Sequence, residues 1–187
     1  MKYEDWKEKY VSGVVPFKKI ADNHTPSEDL KAVNPNYSKD YGYQINCQKC
    51  VPTYELRRRG YNVTAKPTKD LQKDFLSRGG NYAKVFKNPE IIRCYGDVAE
   101  TIKSYLKEWG EGARSEICVV WKSRQDFSHI FAAENRNGKI IFVDPQLAVE
   151  NVDKYFESAK EGYVFVHRMD NLEFTELIKE CCEEVRQ

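Results

Sequence analysis

The 187-residue sequence lacks the features of membrane, secreted and nucleic-acid-binding proteins. No apolar run approaches the ~20 residues of a membrane-spanning helix, and the N-terminal stretch MKYEDWKEKY has no apolar segment of the kind found in signal peptides. Lysine and arginine number 30 against 29 acidic residues, which leaves a net charge of +1 and no overall field to attract nucleic acid. We therefore expect no membrane and no nucleic acid among the partners.

The sequence also lacks a recognisable metal site. Structural zinc uses four ligands, usually in two closely spaced pairs, but the pair Cys47 and Cys50 has no second Cys-x-x-Cys. The histidines, His24, His129 and His167, are scattered. The segment before Cys47 has too many turn residues for the βαβ unit of a thioredoxin-like dithiol. We expect no metal and no cofactor.

The cysteines do not form an obvious disulfide framework. Six are present, but Cys181 and Cys182 are adjacent on a predicted helix, and Cys118 lies in the apolar run EICVVW like a small core residue. This arrangement favours a reduced, cytoplasmic chain, and a chain delivered into another cell's cytosol would look the same.

The sequence does contain an order of elements typical of an α+β fold, because helices come first and strands cluster later. An N-cap at Thr25, followed by Pro26 and Glu28, predicts one helix. Further helices are predicted at 2–10, 47–60, 69–79, 97–110, 149–160 and 170–186, and strands at 61–67, 116–123, 128–135, 139–146 and 163–168. We divide the chain into a helical N-terminal extension, 1–36, and a main domain, 37–187.

The cysteine pair lies where a helix begins, and either thiol could be a nucleophile. Asn46 is a good N-cap, which would place Cys47 in the first turn, where free N–H groups stabilise a thiolate or a developing oxyanion. Pro52 instead favours Cys50, because a proline fits better in a helix that begins near that residue. Local sequence does not decide between the two.

A base and its orienting carboxylate are predicted in one β-hairpin. A four-residue loop over 135–138 would put His129 opposite Asp144, whereas a two-residue turn would make them diagonal neighbours and place Arg136 opposite Lys139, a like-charge pair. A three-residue loop would put them on opposite faces. The alternative is a sheet histidine that happens to meet an aspartate. We expect His167 to lie at the surface and His24 to be solvated.

Three ordered motifs, NCQKCVPTYELRRRGYNVTAKP, SHIFAAE and IFVDPQ, resemble those of the papain-fold toxin domain, Tox-PL, over about residues 44 to 148. That family includes protein glutamine deamidase effectors and toxin modules on phage head proteins. The resemblance implies a papain-like cysteine hydrolase fold with an N-terminal helix and a C-terminal antiparallel sheet. It assigns Cys47 as nucleophile, His129 as base and Asp144 as the orienting residue, and leaves Cys50 as a bystander.

The resemblance further implies deamidation of a glutamine side chain on a target protein, with an immunity protein as a further partner and a phage or other mobile element as a source. A papain-like protease, isopeptidase or transglutaminase keeps the same triad, and a non-catalytic binding module on this fold is a separate alternative. Papain has an oxyanion glutamine several residues before its nucleophile, and nothing lies at that spacing here. Gln44 and Gln146 are the nearest candidates.

The run of three arginines at 57–59 could indicate an RNA-binding groove. On a helix, however, these side chains would spread around the surface, and Glu55 can pair with Arg59 one turn away. With a net charge of +1, we interpret the run as a solvated face.

Overall fold

The computed structural model describes residues 15–19, 24–124 and 127–185, and it has an α+β fold. The helix predicted at 2–10 lies outside these residues. Four α-helices are described: α1 (Pro26–Val33), α2 (Cys47–Arg58), α3 (Val98–Trp109) and α4 (Ile178–Cys181). The strands are β1 (Val63–Ala65), β2 (Ile92–Cys94), β3 (Arg114–Trp121), β4 (Ser128–Arg136), β5 (Lys139–Asp144), β6 (Val149–Glu150), β7 (Ala159–Arg168) and β8 (Cys182–Glu184). No helix in the described ranges is long and apolar enough to cross a bilayer.

The main sheet has six strands in the order β2-β7-β3-β4-β5-β6, and every recorded pairing is antiparallel. Neighbouring residues along its strands point to opposite faces and so enter two different cores. Ile130 and Ala132 join the core that includes residues of α2, whereas Phe131 and Ala133 join the core that includes residues of α3. The sheet therefore lies between the two longest described helices.

Helix α2 begins at Cys47, as the Asn46 N-cap predicts, and continues through Pro52. The side chain of Asn46 makes no capping hydrogen bond, because it is used in contacts around the site. Proline removes one intrahelical hydrogen bond. The hydroxyl of Thr53 donates to the Lys49 carbonyl at 2.7 Å, and the helix continues to Arg58. The proline therefore does not mark the start of this helix.

The β4–β5 hairpin has the two-residue turn, with Arg136 opposite Lys139. Asn137 and Gly138 have φ values of 52° and 81°, as expected for a tight hairpin turn built on Asn-Gly. The like-charge pair is relieved, since Arg136 contacts Glu134 at 3.0 Å and Glu150 at 2.6 Å. The alternative four-residue loop is therefore wrong. The diagonal register still leaves His129 and Asp144 on one face.

Several elements differ from the sequence prediction. Residues 149–160 form strand β6 and a 3-10 helix, Asp153–Ser158, instead of one α-helix. The long helix predicted over 170–186 is reduced to α4, because Asp170 does not cap it and instead accepts from the backbone N–H of Arg114 at 2.7 Å. The segment 69–79 contains a 3-10 helix, Phe75–Ser77. Strand β2 was not predicted.

A second, two-stranded sheet pairs β1 with β8, from Val63 opposite Glu184 to Ala65 opposite Cys182. The adjacent Cys181 and Cys182 are both buried because the chain changes from helix to strand between them. Both cysteines join the core that contains α2 residues. This small sheet therefore supports the helix that begins at Cys47.

The three arginines do not form a solvated face, so that prediction is wrong. Arg57 and Arg59 are buried. The predicted Glu55–Arg59 pair is present at 2.6 Å, and Arg114 approaches the same carboxylate at 2.6 Å, with all three side chains at most 1% exposed. Arg58 bridges Asp29 and Glu134 at 3.1 and 2.9 Å. The partners of Arg58, Asp29 and Glu134, come from distant segments that sequence spacing does not reveal.

His167 is also buried, contrary to the surface position predicted for it. Its Nε2 lies 2.7 Å from Glu116 Oε2, and its Nδ1 lies 3.0 Å from the carbonyl oxygen of Arg168. A carbonyl only accepts, so Nδ1 carries a hydrogen. Both ring nitrogens of His167 therefore have partners inside the fold. The contacts of the His167 ring are therefore structural.

Candidate active site

Cys47 is the first residue of α2 and is half-buried in a cleft. The backbone N–H groups of Lys49 and Cys50 already bond to the carbonyl oxygen of Asn46, at 2.8 and 3.0 Å. The N–H groups of Cys47 and Gln48 precede these bonds and have no partner within the helix. The thiol therefore lies at the positive end of a helix, beside donors suited to a developing oxyanion.

His129 and Asp144 form a hydrogen-bonded pair at the edge of this cleft. His129 is at the start of β4 and Asp144 at the end of β5, and the imidazole Nε2 lies 2.8 Å from Asp144 Oδ2. Cys47 lines the same cleft as His129. Because Nε2 is used by the carboxylate, Nδ1 is the nitrogen available to the thiol. The structure thus brings the three predicted residues together.

The electrostatics favour a protonated imidazole between two acidic groups. Burial disfavours the imidazolium, but the hydrogen bond to Asp144 and the electrostatic interaction with Cys47 outweigh it and raise the pKa of His129 to about 10. Burial likewise opposes ionisation of Asp144, yet hydrogen bonds from His129, Tyr155 and the backbone of Leu147 lower the pKa of its carboxyl. The pair can therefore hold a proton close to the sulfur at neutral pH.

Cys50 is different in every respect that matters for reactivity. It is fully buried, and its thiol donates to Asn46 Oδ1 at 3.3 Å. Burial, with Cys47 and Asp144 adding to it, raises the pKa of this thiol well above its usual range. A thiol in such surroundings is a poor nucleophile.

The two oxyanion candidates both line the cleft. Gln44 is exposed, and its Nε2 donates to the Tyr37 carbonyl at 3.3 Å. Gln146 is buried, and its Nε2 donates to Asn46 Oδ1 at 3.2 Å. Each amide has a second N–H hydrogen, so neither is excluded as a donor by its present bond.

Sequence reasoning missed two aromatic residues of the site. The hydroxyl of Tyr155 donates to Asp144 Oδ2 at 3.0 Å, from a segment that was predicted to be a plain helix. Trp121 stacks on the His129 ring at a centroid distance of 6.0 Å. These contacts orient the carboxylate and shield the imidazole. Only the aromatic character of Tyr155 and Trp121 could have drawn attention to them.

The cleft has a volume of about 980 Å³, and Cys47 and His129 both contribute to its wall. Apolar side chains line much of the rest, including Leu76, Tyr82 and Phe165. A space of this size exceeds the volume of one glutamine side chain and can admit a short segment of polypeptide. Among the described residues, no three His, Cys, Asp or Glu side chains are placed to hold a metal ion.

Residues 45–148 match the family described as papain fold toxin 1, glutamine deamidase. The match covers more than half of the chain. The chain belongs to this family. The resemblance to a papain-fold toxin domain is thereby confirmed. A comparison with curated proteins gave no match.

The papain fold toxin 1 family is one of toxin glutamine deamidases, so the chain is a hydrolase whose substrate class is a target protein. The matched residues include all of α2 and the β4–β5 hairpin. They therefore contain Cys47, His129 and Asp144. The roles of these side chains are taken up below.

The electrostatics of this papain fold toxin 1 domain predict a pH effect of Asp144→Asn. With the carboxylate present, His129 keeps its proton until the pH rises through about 10, so activity that needs the imidazolium is lost only above that range. Without the negative charge, we expect the alkaline limb of kcat/KM to move down by roughly one to three pH units. Profiles of kcat/KM against pH for both forms test this.

Asp153→Asn serves as the matched control, since Asp153 is exposed on the nearby 3-10 helix. Its alkaline limb should coincide with that of the wild type. If the alkaline limb of kcat/KM in Asp144→Asn stayed at the pH of the wild type, the carboxylate would not be the group that holds the proton on His129.

Proposed function

We propose that the domain is a cysteine-dependent deamidase in which Cys47, His129 and Asp144 form the catalytic triad. The observation that carries this proposal is the pairing of His129 with Asp144 at 2.8 Å beside a thiol at the start of a helix. A nucleophile, a base and a group that orients the base are the parts that acyl transfer through a thioester requires.

In the proposed reaction, the thiol proton is held by His129 as an imidazolium, and the thiolate of Cys47 attacks the carboxamide carbon of a glutamine. The oxyanion is stabilised by the N–H groups at the start of α2, with Gln44 or Gln146 as an additional donor. The intermediate collapses as the C–N bond breaks and His129 returns the proton to nitrogen, which releases ammonia. Water, deprotonated by His129, then hydrolyses the thioester to glutamate and regenerates the thiol.

The helix that bears the nucleophile and the sheet that bears the base support a papain-like arrangement of the domain. We propose that it extends over 37–187, with 1–36 as an extension. The cleft would admit a loop of the target protein, with one glutamine entering beside Cys47. We further propose a cytoplasmic site of action, after delivery or from a mobile element, and an immunity protein that binds the domain.

The test is mass analysis of host proteins exposed to the wild type, Cys47→Ala and His129→Ala. We expect a target that keeps its full length, gains the small mass increment of amide-to-acid conversion at one glutamine, and releases ammonia. Both changes should be absent with either variant, because Cys47→Ala removes the nucleophile and His129→Ala removes the group that transfers the proton. Truncated fragments that depend on Cys47, with no altered glutamine, would instead identify a protease.

A further inference from the structure

The side-chain amide of Gln48 is held in one orientation beside the nucleophile. Its Nε2 lies 2.9 Å from Thr68 Oγ1, 3.0 Å from Asp74 Oδ2 and 2.7 Å from Ser77 Oγ. A carboxylate only accepts, so the nitrogen must face Asp74. The hydroxyl of Ser77 donates to the same Oδ2 at 2.6 Å, which leaves its oxygen to accept from Gln48.

The carboxylate that fixes Gln48 is itself held in place. Lys49 Nζ lies 3.2 Å from Asp74 Oδ1 and donates to the Pro67 carbonyl at 3.0 Å. Lys49 is 7% exposed and Gln48 is 2% exposed, whereas Asp74 and Ser77 are partly buried, and Gln48 and Ser77 line the cleft. Exchanging the amide oxygen and nitrogen would put oxygen against oxygen at Asp74.

It follows that the carbonyl oxygen of Gln48 faces the reactive sulfur. The thiol of Cys47 donates to Gln48 Oε1 across 3.7 Å. When His129 takes this proton, Oε1 loses its donor while it remains buried. A buried acceptor without a donor is unfavourable. In the activated site, Oε1 can therefore accept a hydrogen bond from another donor next to the sulfur.

A primary carboxamide supplies such a donor. During attack the amide carbon comes within bonding distance of Cys47 Sγ, and its oxygen turns toward the N–H groups at the start of α2. The nitrogen then lies on the remaining side of the carbon and carries two hydrogens. The α-amide of a peptide bond carries one hydrogen and a carbon substituent, which would compete for the same space.

We propose that Gln48 is the residue that selects a primary amide, with its Oε1 accepting a hydrogen bond from the NH₂ group of the target glutamine. This inference rests on the proposed function. The hydrogen bond persists as the C–S bond forms, and the proton that leaves with ammonia comes from His129, so Gln48 does not change its own protonation. Its role is to orient the leaving nitrogen.

The test measures the wild type and Gln48→Met on two probes. This change keeps the length of the side chain but removes the carbonyl. The probes are a blocked glutaminyl-glycine peptide and the same peptide with a γ-ester of glutamate in place of glutamine. We expect kcat/KM for the amide to fall about 10- to 100-fold. Ester hydrolysis, which offers no N–H hydrogen, should stay within about threefold of the wild type.

Asp74→Asn is a second variant that preserves the volume and does not touch the thiol. Asparagine can present either an acceptor or a donor, so Gln48 is no longer held in one orientation, and we expect a smaller loss on the amide alone. Thr68→Val is the matched control, because Asp74 and Ser77 still hold the nitrogen. Its activity on both probes should lie within about threefold of the wild type.

Equal losses on amide and ester in Gln48→Met and Asp74→Asn would overturn this inference alone, because they would indicate general damage to the site. An unchanged amide rate in Gln48→Met would overturn it as well. A wild-type protein that hydrolyses the ester but releases no ammonia from glutamine, in the probe or in host proteins, would overturn the proposed function and this inference with it.

Discussion

Replacing Cys47 with alanine is expected to lower kcat for ammonia release by about four orders of magnitude or more, because no other group can form the thioester. Cys50→Ala should retain activity within about tenfold, since a fully buried thiol cannot reach the substrate. Its cost should be confined to stability, about 1 kcal/mol for a small buried truncation. Steady-state ammonia release and urea unfolding measure the two effects.

Alkylation provides an independent check of the same assignment. In the native protein, iodoacetamide should modify Cys47 first, and prior modification of Cys47 should abolish activity. The other five cysteines are buried and should react only after unfolding. If Cys50→Ala were inactive and Cys47→Ala active, the roles of the two thiols would be reversed.

Replacing Glu55 with leucine is expected to lower the free energy of unfolding by about 3–5 kcal/mol, because it leaves two buried guanidinium groups without their carboxylate. Glu55 is wholly buried and lies 2.6 Å from both Arg59 and Arg114. Burial opposes its ionisation, but the arginines outweigh this and lower the pKa of Glu55 to about 2. The carboxylate therefore stabilises the fold at neutral pH, and that contribution is lost only as the pH falls from 4.5 toward about 2.

Two comparison variants make the measurement specific. Glu100→Gln removes an exposed pair with Lys103 and should cost at most about 1 kcal/mol. The triple change Glu55→Leu, Arg59→Met and Arg114→Met should be less destabilising than Glu55→Leu alone, since no unpaired charge remains buried. The triple variant should not regain the full stability of the wild type, because Arg59 also donates to the carbonyls of Met169 and Leu172. Equal losses for Glu55→Leu and Glu100→Gln would contradict the structural role of the network.

The parts of the site that follow from local rules were predictable from sequence. Side chains alternate between the two faces of a strand, so loops of two and of four residues both place His129 and Asp144 on one face. The prediction that the two residues meet was therefore independent of which of these loop lengths is correct. The N-cap and the turn residues placed α2 and the hairpin. The family motif, more than helix physics, favoured Cys47, because Pro52 suggested a later start that the structure does not have.

The parts that depend on contacts between distant segments were not predictable in this way. The arginine run looked solvated because Asp29, Arg114 and Glu134 are far from it in sequence, and His167 looked exposed because Glu116 is on another strand. The segment 170–186 has a helical pattern, but packing of Phe174 on Phe86 and pairing of β8 with β1 override it. Tertiary interactions outweigh local propensity in such places.

The pairing of β1 with β8 also has a kinetic consequence. Its two strands lie more than a hundred residues apart along the chain, so closing them is a slow, long-range step in folding. Until β8 has been synthesised, the apolar surface of β1 and of the neighbouring helix α2 remains uncovered. We infer that the environment of the Cys47 thiol is completed late, and that the nascent chain reaches a reactive state only after nearly all of the domain has emerged from the ribosome.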